Sequence, residues 1–431
     1  MSGTGKRVVL STFGSFGDVH PYVALALELR RRGHRPVLAT SGVYREKAEA
    51  LGLELHPVRP DLPSPDDPEA VRELVAALMD ERKGTERVFD LLLPHLREIY
   101  EDLLEAARGA DLLLTHPLPF VGPIVAQKTG VRWVSSVLAP ISLFSVYDPP
   151  VLPQAPWLHR AMRLSPSLVR FFLRLGELKF RRLVEPVYRL RRELGLPRGG
   201  NPILEGQHSP TLVLALFSKV LAAPQPDWPA HTLVTGFPFY DRRDRAGDVG
   251  GADPALLEFL DAGEPPVVFT LGSSAVFAAG DFYRDSVEAA LSLGRRALLL
   301  IGEERNRPSA ALPAGVAAFE YAPYSEVFAR AAAVVHQGGV GTTGQALRAG
   351  VPQLVVPFGH DQFDNGERVA RLGCGRALPR RRYDARSAAR ELRALLGDGG
   401  HAARAAEVGH EVRSEDGAAA AVDAVERVMK G

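Results

Sequence analysis

Residues 336 to 365 read HQGGVGTTGQALRAGVPQLVVPFGHDQFDN, and this stretch decides the fold. Its first fifteen positions hold five glycines, an apolar run follows, and a knot of polar side chains closes it. The apolar AAVV before it has the signature of a buried strand, and the residues after the glycines read as a helix. A strand, a glycine loop and a helix start bring backbone N–H groups to a helix N-terminus, where the dipole favours an anion. His336 can donate a hydrogen bond or a partial positive charge to a diphosphate, and Thr342 and Thr343 can cap the helix or bind phosphate oxygens. A glycine-rich connection with a purely structural cap would use the same letters.

The closing GHDQFDN follows a strand, at the mouth of the sheet where such folds bind ligands. Asp361 and Gln362 offer acceptors and donors suited to sugar hydroxyls, although a turn with solvated acids would look alike. A diphosphate cradle followed by hydroxyl-binding groups describes a nucleotide sugar. Other nucleotide chemistries fit worse. There is no G-x-x-x-x-G-K-[ST] loop, the N-terminal GSFGD is not G-x-G-x-x-G, and the second strand ends in Thr40 and Ser41 where an NAD site needs an acid. No Asp-x-Asp triplet exists to bridge a diphosphate through a metal, so no metal and no cofactor is expected.

Working outward, the 431-residue chain exceeds what one core ordinarily serves, and two domains are expected. With 46% hydrophobic and 24% charged residues it has the balance of a soluble globular protein, and a net charge of +1 gives no global case for nucleic acid. A single cysteine, Cys374, excludes an internal disulfide and a thiolate metal cluster. The opening MSGTGKRVVLSTFGSFGD lacks a signal-peptide core, and no apolar run approaches the roughly 18 residues of a spanning helix. The expected location is the cytoplasm.

RVVLSTF (7–13) reads as a strand, GSFGD as a loop, and PYVALALELRRRG (21–33) as a helix opened by proline and closed by glycine. PVLAT, DLLLTH (111–116) and RWVSSVL (132–138) continue a buried parallel sheet. A second series, PVVFTLGSS, RALLLIG, GVAAFEYAP, AAVVHQGG and PQLVVPFG, begins near residue 266 after a segment rich in proline, glycine and aspartate. The fold expected is α/β, two doubly wound Rossmann-like domains facing each other across a cleft, with the break at about 240–250. Residues 1–240, 241–405 and 406–431 form the first domain, the second, and terminal helices that cross back onto the first.

Residues 157–192 stand apart, with ten Lys/Arg against two Glu and bulky apolar residues between them. The pattern suits a helix on an anionic lipid surface or over a greasy pocket, and equally a core-packed helix with a solvated basic face.

The stretch YAPYSEVFARAAAVVHQGGVGTTGQALRAGVPQLVVPFGHDQFDN resembles the donor-binding signature of the UDP-glycosyltransferase superfamily, whose GT-B fold is two facing α/β domains. FGSFGDVHPYVALALELRRRGH resembles the opening of its bacterial and sterol-acting branches. HSPTLVLALF, PQPDWP, TGFPFYD, VVFTLGSS and HDQFDNGERVARLGCG are most similar to bacterial rhamnosyltransferases of rhamnolipid synthesis. The resemblance spans nearly the whole chain and is weakest from about 60 to 200.

It implies an inverting, metal-independent transfer of a hexose from UDP-glucose or dTDP-rhamnose to a hydroxyl of a hydrophobic small molecule or lipid. The first domain would bind the acceptor and the second the nucleotide sugar. Tyr321, beside Ala322, would stack on the base. His336, Gly338, Gly341 and Thr342, with Ser273 and Ser274, would hold the pyrophosphate, and Asp361 and Gln362 the hexose. Gln345 stands where plant members place a glutamate on the ribose, which loosens the expectation of uracil.

The general base would be Asp18, at the place where relatives carry histidine or aspartate, with His20 its rival and His116 able to orient it or relay its proton. As structural elements these three would be a helix cap, a cap-region histidine and a strand-end residue. A sugar-nucleotide 2-epimerase and a non-catalytic sugar-nucleotide binding protein share parts of the architecture. Partners expected are the donor and a hydrophobic acceptor, no nucleic acid, and a peripheral membrane contact through 157–192.

Overall fold

Strands that are apolar on both faces belong in parallel sheets sandwiched between helices, and these strands form two of them. The computed structural model describes residues 5–64, 67–81, 83–242, 253–309, 311–397 and 399–430. The expected domain break lies, from residue 243 on, outside the described residues. The first sheet comprises β1 (Arg7–Ser11), β2 (Arg35–Thr40), β3 (Glu54–Pro57), β4 (Leu112–Thr115), β5 (Arg132–Val137), β6 (Val213–Ala215) and β7 (Thr232–Val234). The second comprises β8 (Val267–Thr270), β9 (Ala297–Leu300), β10 (Val316–Phe319), β11 (Ala333–His336), β12 (Gln353–Val355) and β13 (Gly375–Ala377).

The strand orders are β3-β2-β1-β4-β5-β6-β7 and β10-β9-β8-β11-β12-β13, parallel throughout. Each order reverses direction once, between β1 and β4 and between β8 and β11. At such a reversal the connections leave on opposite faces and open a crevice at the carboxyl ends of the strands. The loops after β1, β4, β8 and β11 therefore surround the two crevices.

Helix α1 spans Phe16–Arg31, five residues earlier than its sequence suggests. Ser15 is its N-cap and Asp18 its third residue, in a reciprocal capping box that starts the helix ahead of Pro21. Pro21 thus lies inside the helix. Asp18 is within the first turn, not in a loop and not at the cap.

The C-terminal helix Gly417–Lys430 lies on the first sheet's side. Ala421, Val422, Val425 and Met429 share a core with Tyr22, Leu25 and Leu29 of α1, and Arg32 pairs with Asp423. Residues 157–192 form three helices, Leu158–Met162, Pro166–Phe180 and Glu185–Glu193, because Pro166 and Pro186 each start a new one.

Candidate active site

His336 ends β11 and is wholly buried. Its Nε2 lies 3.0 Å from Gln353 Oε1 on the neighbouring strand, and its Nδ1 accepts the Gly338 N–H at 3.0 Å. An Nδ1 that accepts leaves the ring proton on Nε2. Burial pushes its pKa down to about 4, so the ring is neutral. This corrects the expected charged or donating role toward phosphate: both nitrogens are committed inside the fold, where they shape the glycine turn. Gly338 has φ +91°, and a Cβ there would lie 2.6 Å from Val355 Cγ1 and 3.0 Å from the Gln362 carbonyl oxygen. Only glycine fits.

The helix that follows, Val340–Ala349, has Gly339 at its N-cap and no side-chain cap. Thr343 N–H makes an early intrahelical bond to the Gly339 carbonyl, so the amides of Val340, Gly341 and Thr342 precede the ladder and have no partner within it. Gly341 is exposed, and nothing lies within 4 Å of where its Cβ would stand. Thr342 is buried and its hydroxyl accepts weakly from Gln337 Nε2 at 3.4 Å; Gln345, one turn on, is buried too.

Ser273 and Ser274 lie in the loop after β8. Ser273 Oγ stands 3.4 Å from Ser15 Oγ, joining the second domain's loop to the cap of α1. Tyr321 follows β10 with its ring partly exposed and its hydroxyl donating to the Asp241 carbonyl, while Ala322 is buried in the core beneath.

Asp361 is the N-cap of the helix Gln362–Arg371. Asn365 Nδ2 holds it, donating to Asp361 Oδ2 at 2.7 Å and to the Gly338 carbonyl at 2.9 Å. Burial raises the Asp361 pKa to about 7, and the field of Asp18 adds to the rise against the pull of Asn365 and of the backbone N–H groups of Asp361 and Val340. Gln362 departs from its expected sugar-binding role in one respect: its Oε1 accepts the N–H groups of Phe358 (2.8 Å) and Gly359 (3.0 Å), which leaves only its NH₂ to offer.

Across the cleft, Asp18 Oδ2 accepts from Ser15 N–H at 2.9 Å and from Ser15 Oγ at 3.3 Å. Burial lifts its pKa to about 6 despite those bonds. Gly14 gives the carboxylate room, since a Cβ there would fall 2.2 Å from Asp18 Oδ2. His20 points to another side of α1, its ring centroid 5.1 Å from Phe16 and 5.3 Å from Tyr240. His116 ends beside β4, edge-on to Tyr22 at 6.3 Å, and burial holds it neutral with a pKa near 4. Its Nδ1 has no hydrogen-bond partner among the described residues, and Asp18 is bonded to Ser15 instead, so the expected relay is not formed.

Sequence reading missed Ser15 and Asn365, although the serine three residues before an acid is a legible capping-box signal. It also missed a buried clamp between the domains. Arg368, 2% exposed, binds Asp364 on its own helix and Asp148 of the first domain, and Asp364 Oδ1 accepts the Val151 N–H at 3.0 Å. The clamp fixes the Asp361 helix against the loop that follows β5. No group of three or more metal-ligating side chains occurs among the described residues.

Comparison with known proteins accords with this geometry. Residues 8–101 match the glycosyltransferase family 28 N-terminal domain, and residues 288–428 match the erythromycin biosynthesis protein CIII-like C-terminal domain. The chain is 33% identical to O-mycaminosyltylonolide 6-deoxyallosyltransferase of Streptomyces fradiae over 95% of this chain and 94% of that one. It is 29% identical to a sterol 3-beta-glucosyltransferase of Cryptococcus neoformans, covering 98% of this chain but 27% of that longer protein. Among solved structures, the glycosyltransferase VinC in complex with dTDP superposes with a TM-score of 0.67 at 21% identity, over 98% of this chain and 99% of that one. The two facing Rossmann-like sheets are those of the GT-B fold, and the chain belongs to the UDP-glycosyltransferase superfamily, as a glycosyltransferase.

Proposed function

We propose that this enzyme transfers a hexose, with inversion and without a metal, from a nucleotide diphosphate sugar to a hydroxyl of a hydrophobic small molecule or lipid. One observation carries the reading: an uncapped helix N-terminus and a carboxylate-bearing helix N-terminus meet at one cleft, within reach of a Ser273–Ser15 contact. The amides of Gly341 and Thr342, with Ser273 and Ser274, receive the diphosphate, and their dipoles stabilise its charge as it leaves. Tyr321 stacks on the base, Gln345 lies by the ribose, and Asp361 and the Gln362 NH₂ bind sugar hydroxyls. Asp18 takes the acceptor proton while the acceptor oxygen attacks the anomeric carbon from the face opposite the departing diphosphate. A pKa near 6 makes Asp18 a stronger base than a free aspartate yet mostly ionised at neutral pH.

The donor is UDP-glucose or dTDP-rhamnose. The deoxysugar and dTDP named for the relatives favour the thymidine series. No helix among the described residues is long and apolar enough to cross a membrane. We place the protein in the cytoplasm, with peripheral membrane contact through 157–192. Membership of a glycosyltransferase family leaves the epimerase and binding-protein readings without support.

Thermal unfolding with UDP, dTDP, UDP-glucose and dTDP-rhamnose tests the reading, because a ligand of the folded state raises Tm. A shift with one nucleotide series is expected. No shift with any would end it.

A further inference from the structure

The helix Pro166–Phe180 has two apolar faces. Met162 just before it and Val169 within it are buried inward, and Phe180 at its end stacks at 6.4 Å on Phe89, which stacks at 5.2 Å on Phe120 in the loop after β4. Outward, Leu164, Leu168, Phe171, Leu175 and Leu178 recur at spacings of four and three and are 39–81% exposed, with Trp157 beyond them at 74%. A contiguous apolar strip on a soluble protein marks an interaction surface.

The spacing is that of a coiled-coil seam, so a second copy is the first occupant to consider. The residues that would flank such a seam and set its pairing include Ser167, Phe172 and Arg174, with no acid among them. Two copies would set like charges together along the seam. The remaining charge around the strip is also positive: Arg160, Arg163, Arg170, Arg181 and Arg182 are all exposed, and Glu177 is the helix's only acid. Beside its C-terminal half a groove of about 540 Å³ is lined by Arg174, Arg181 and Arg198, with Tyr188 and Glu177. Arg198 is held over the Tyr188 ring at 4.4 Å. Bulky apolar residues on one face, flanked by arginines whose stems can lie along the apolar surface, suit the interface of an anionic bilayer.

We infer that this surface docks the enzyme on an anionic membrane, with the Leu164–Leu178 strip and Trp157 in the acyl boundary and the groove of Arg174, Arg181 and Arg198 on lipid phosphates. The inference deepens the membrane contact proposed above and rests on that reading. The Phe180–Phe89–Phe120 stack joins the docked helix to the loop after β4, at the mouth of the first domain's crevice. A lipid-like acceptor leaving the bilayer would thus enter along apolar side chains on the first domain.

The test is co-sedimentation of the full chain with vesicles of phosphatidylcholine alone and of phosphatidylcholine mixed with phosphatidylglycerol, with sedimentation velocity of the free protein alongside. Expected is binding to the mixed vesicles at least tenfold stronger than to the neutral ones, weakened by salt. L164S/F171S/L178S would lower it tenfold or more, and R174E/R181E would lower it by roughly fivefold per arginine. Both variants alter exposed positions, and an unchanged Tm shows that they fold. Equal binding to the two vesicles, no binding to either, or self-association that the serine variant abolishes would each overturn the proposal. Vesicle binding without any nucleotide-induced shift in Tm would leave docking standing and remove the proposed donor site; the reverse pattern would remove docking alone.

Discussion

Two helices point their N-termini into this cleft, and the molecule treats them in opposite ways. Helix α1 is closed by its own side chains: Ser15 caps it, and the Asp18 carboxylate folds back onto the Ser15 amide. The helix Val340–Ala349 has a glycine at its cap and no side-chain cap of its own; its first amide, Val340, meets the Asp361 carboxylate, and the next two, Gly341 and Thr342, precede the helical ladder. Closing a helix end with a cap ordinarily contributes about 1 kcal/mol, so an uncapped end facing a cleft leaves a favourable interaction for a ligand to make. The first end offers a fixed negative charge and the second a partial positive one, which Asp361 meets only at Val340. A base and a diphosphate seat are the two uses that follow, and the same βα topology supplies both.

Removing the charge from the closed end has the largest expected effect. Asp18→Asn keeps an oxygen for the Ser15 bonds but cannot take a proton, so turnover should fall by roughly 10²–10⁴-fold with donor affinity unchanged. Turnover within a few-fold of the parent would remove Asp18 from the chemistry and leave His20 to be tried.

Next in size is making the two ends alike. Gly339 has φ −57° and ψ 142°, which any residue adopts, and a Cβ there meets only the flexible Gln337 side chain, at 2.9 Å. Gly339→Asp should therefore cap the helix, keep or raise Tm, and weaken dTDP or UDP binding by roughly tenfold or more, since a carboxylate now holds the diphosphate's place. Undiminished nucleotide affinity, read by calorimetry, would show that the open end is not the seat.

The open end was the more legible in the sequence. Glycines, a strand before and a helix after are local features, and the loop's position at the cleft follows from them. The closed end is harder to read because Pro21 looks like a helix start, whereas the capping box three to six residues earlier outweighs it. In sequence His336 points toward phosphate because it precedes the glycines; its commitment to Gln353 depends on strand pairing, 17 residues apart. The Arg368–Asp148 clamp joins residues 220 apart, beyond any local pattern. In the same way, the outward apolar strip of 164–178 could not be told from a core-facing one until the inner face was seen filled by Val169.

The two carboxyls that face the cleft also tie stability to pH. Asp361 in the folded protein titrates near 7 and Asp18 near 6, both above the ordinary aspartate value because burial opposes the charge. A raised folded pKa means that the favourable contribution is complete below about pH 4 and is lost as pH rises through 6 to 7. Asp361→Asn should thus be the more stable protein at pH 8, by on the order of 2 kcal/mol, seen as a Tm higher by roughly 2–4 °C, with the difference closing near pH 4. A variant less stable than the parent at pH 8 would mean that Asn365 and the Val340 N–H hold the ionised carboxylate more strongly than burial opposes it.

The smallest effect is the most specific to the closed end. Rates limited by Asp18 as base should rise with pH through a midpoint near 6 in kcat/KM. Ser15→Ala removes the hydroxyl 3.3 Å from Asp18 Oδ2 while keeping the backbone N–H at 2.9 Å, so the carboxylate loses one of its donors. With less to stabilise its charge its pKa climbs, and the midpoint should move a few tenths of a unit to higher pH. The lost cap should at the same time lower stability by about 1 kcal/mol. These two consequences separate the roles of the serine: a fall in Tm alone would describe a cap, whereas a fall in Tm with the midpoint displaced upward ties the acid limb to Asp18, because no other titrating group in the cleft is hydrogen-bonded to Ser15 among the described residues.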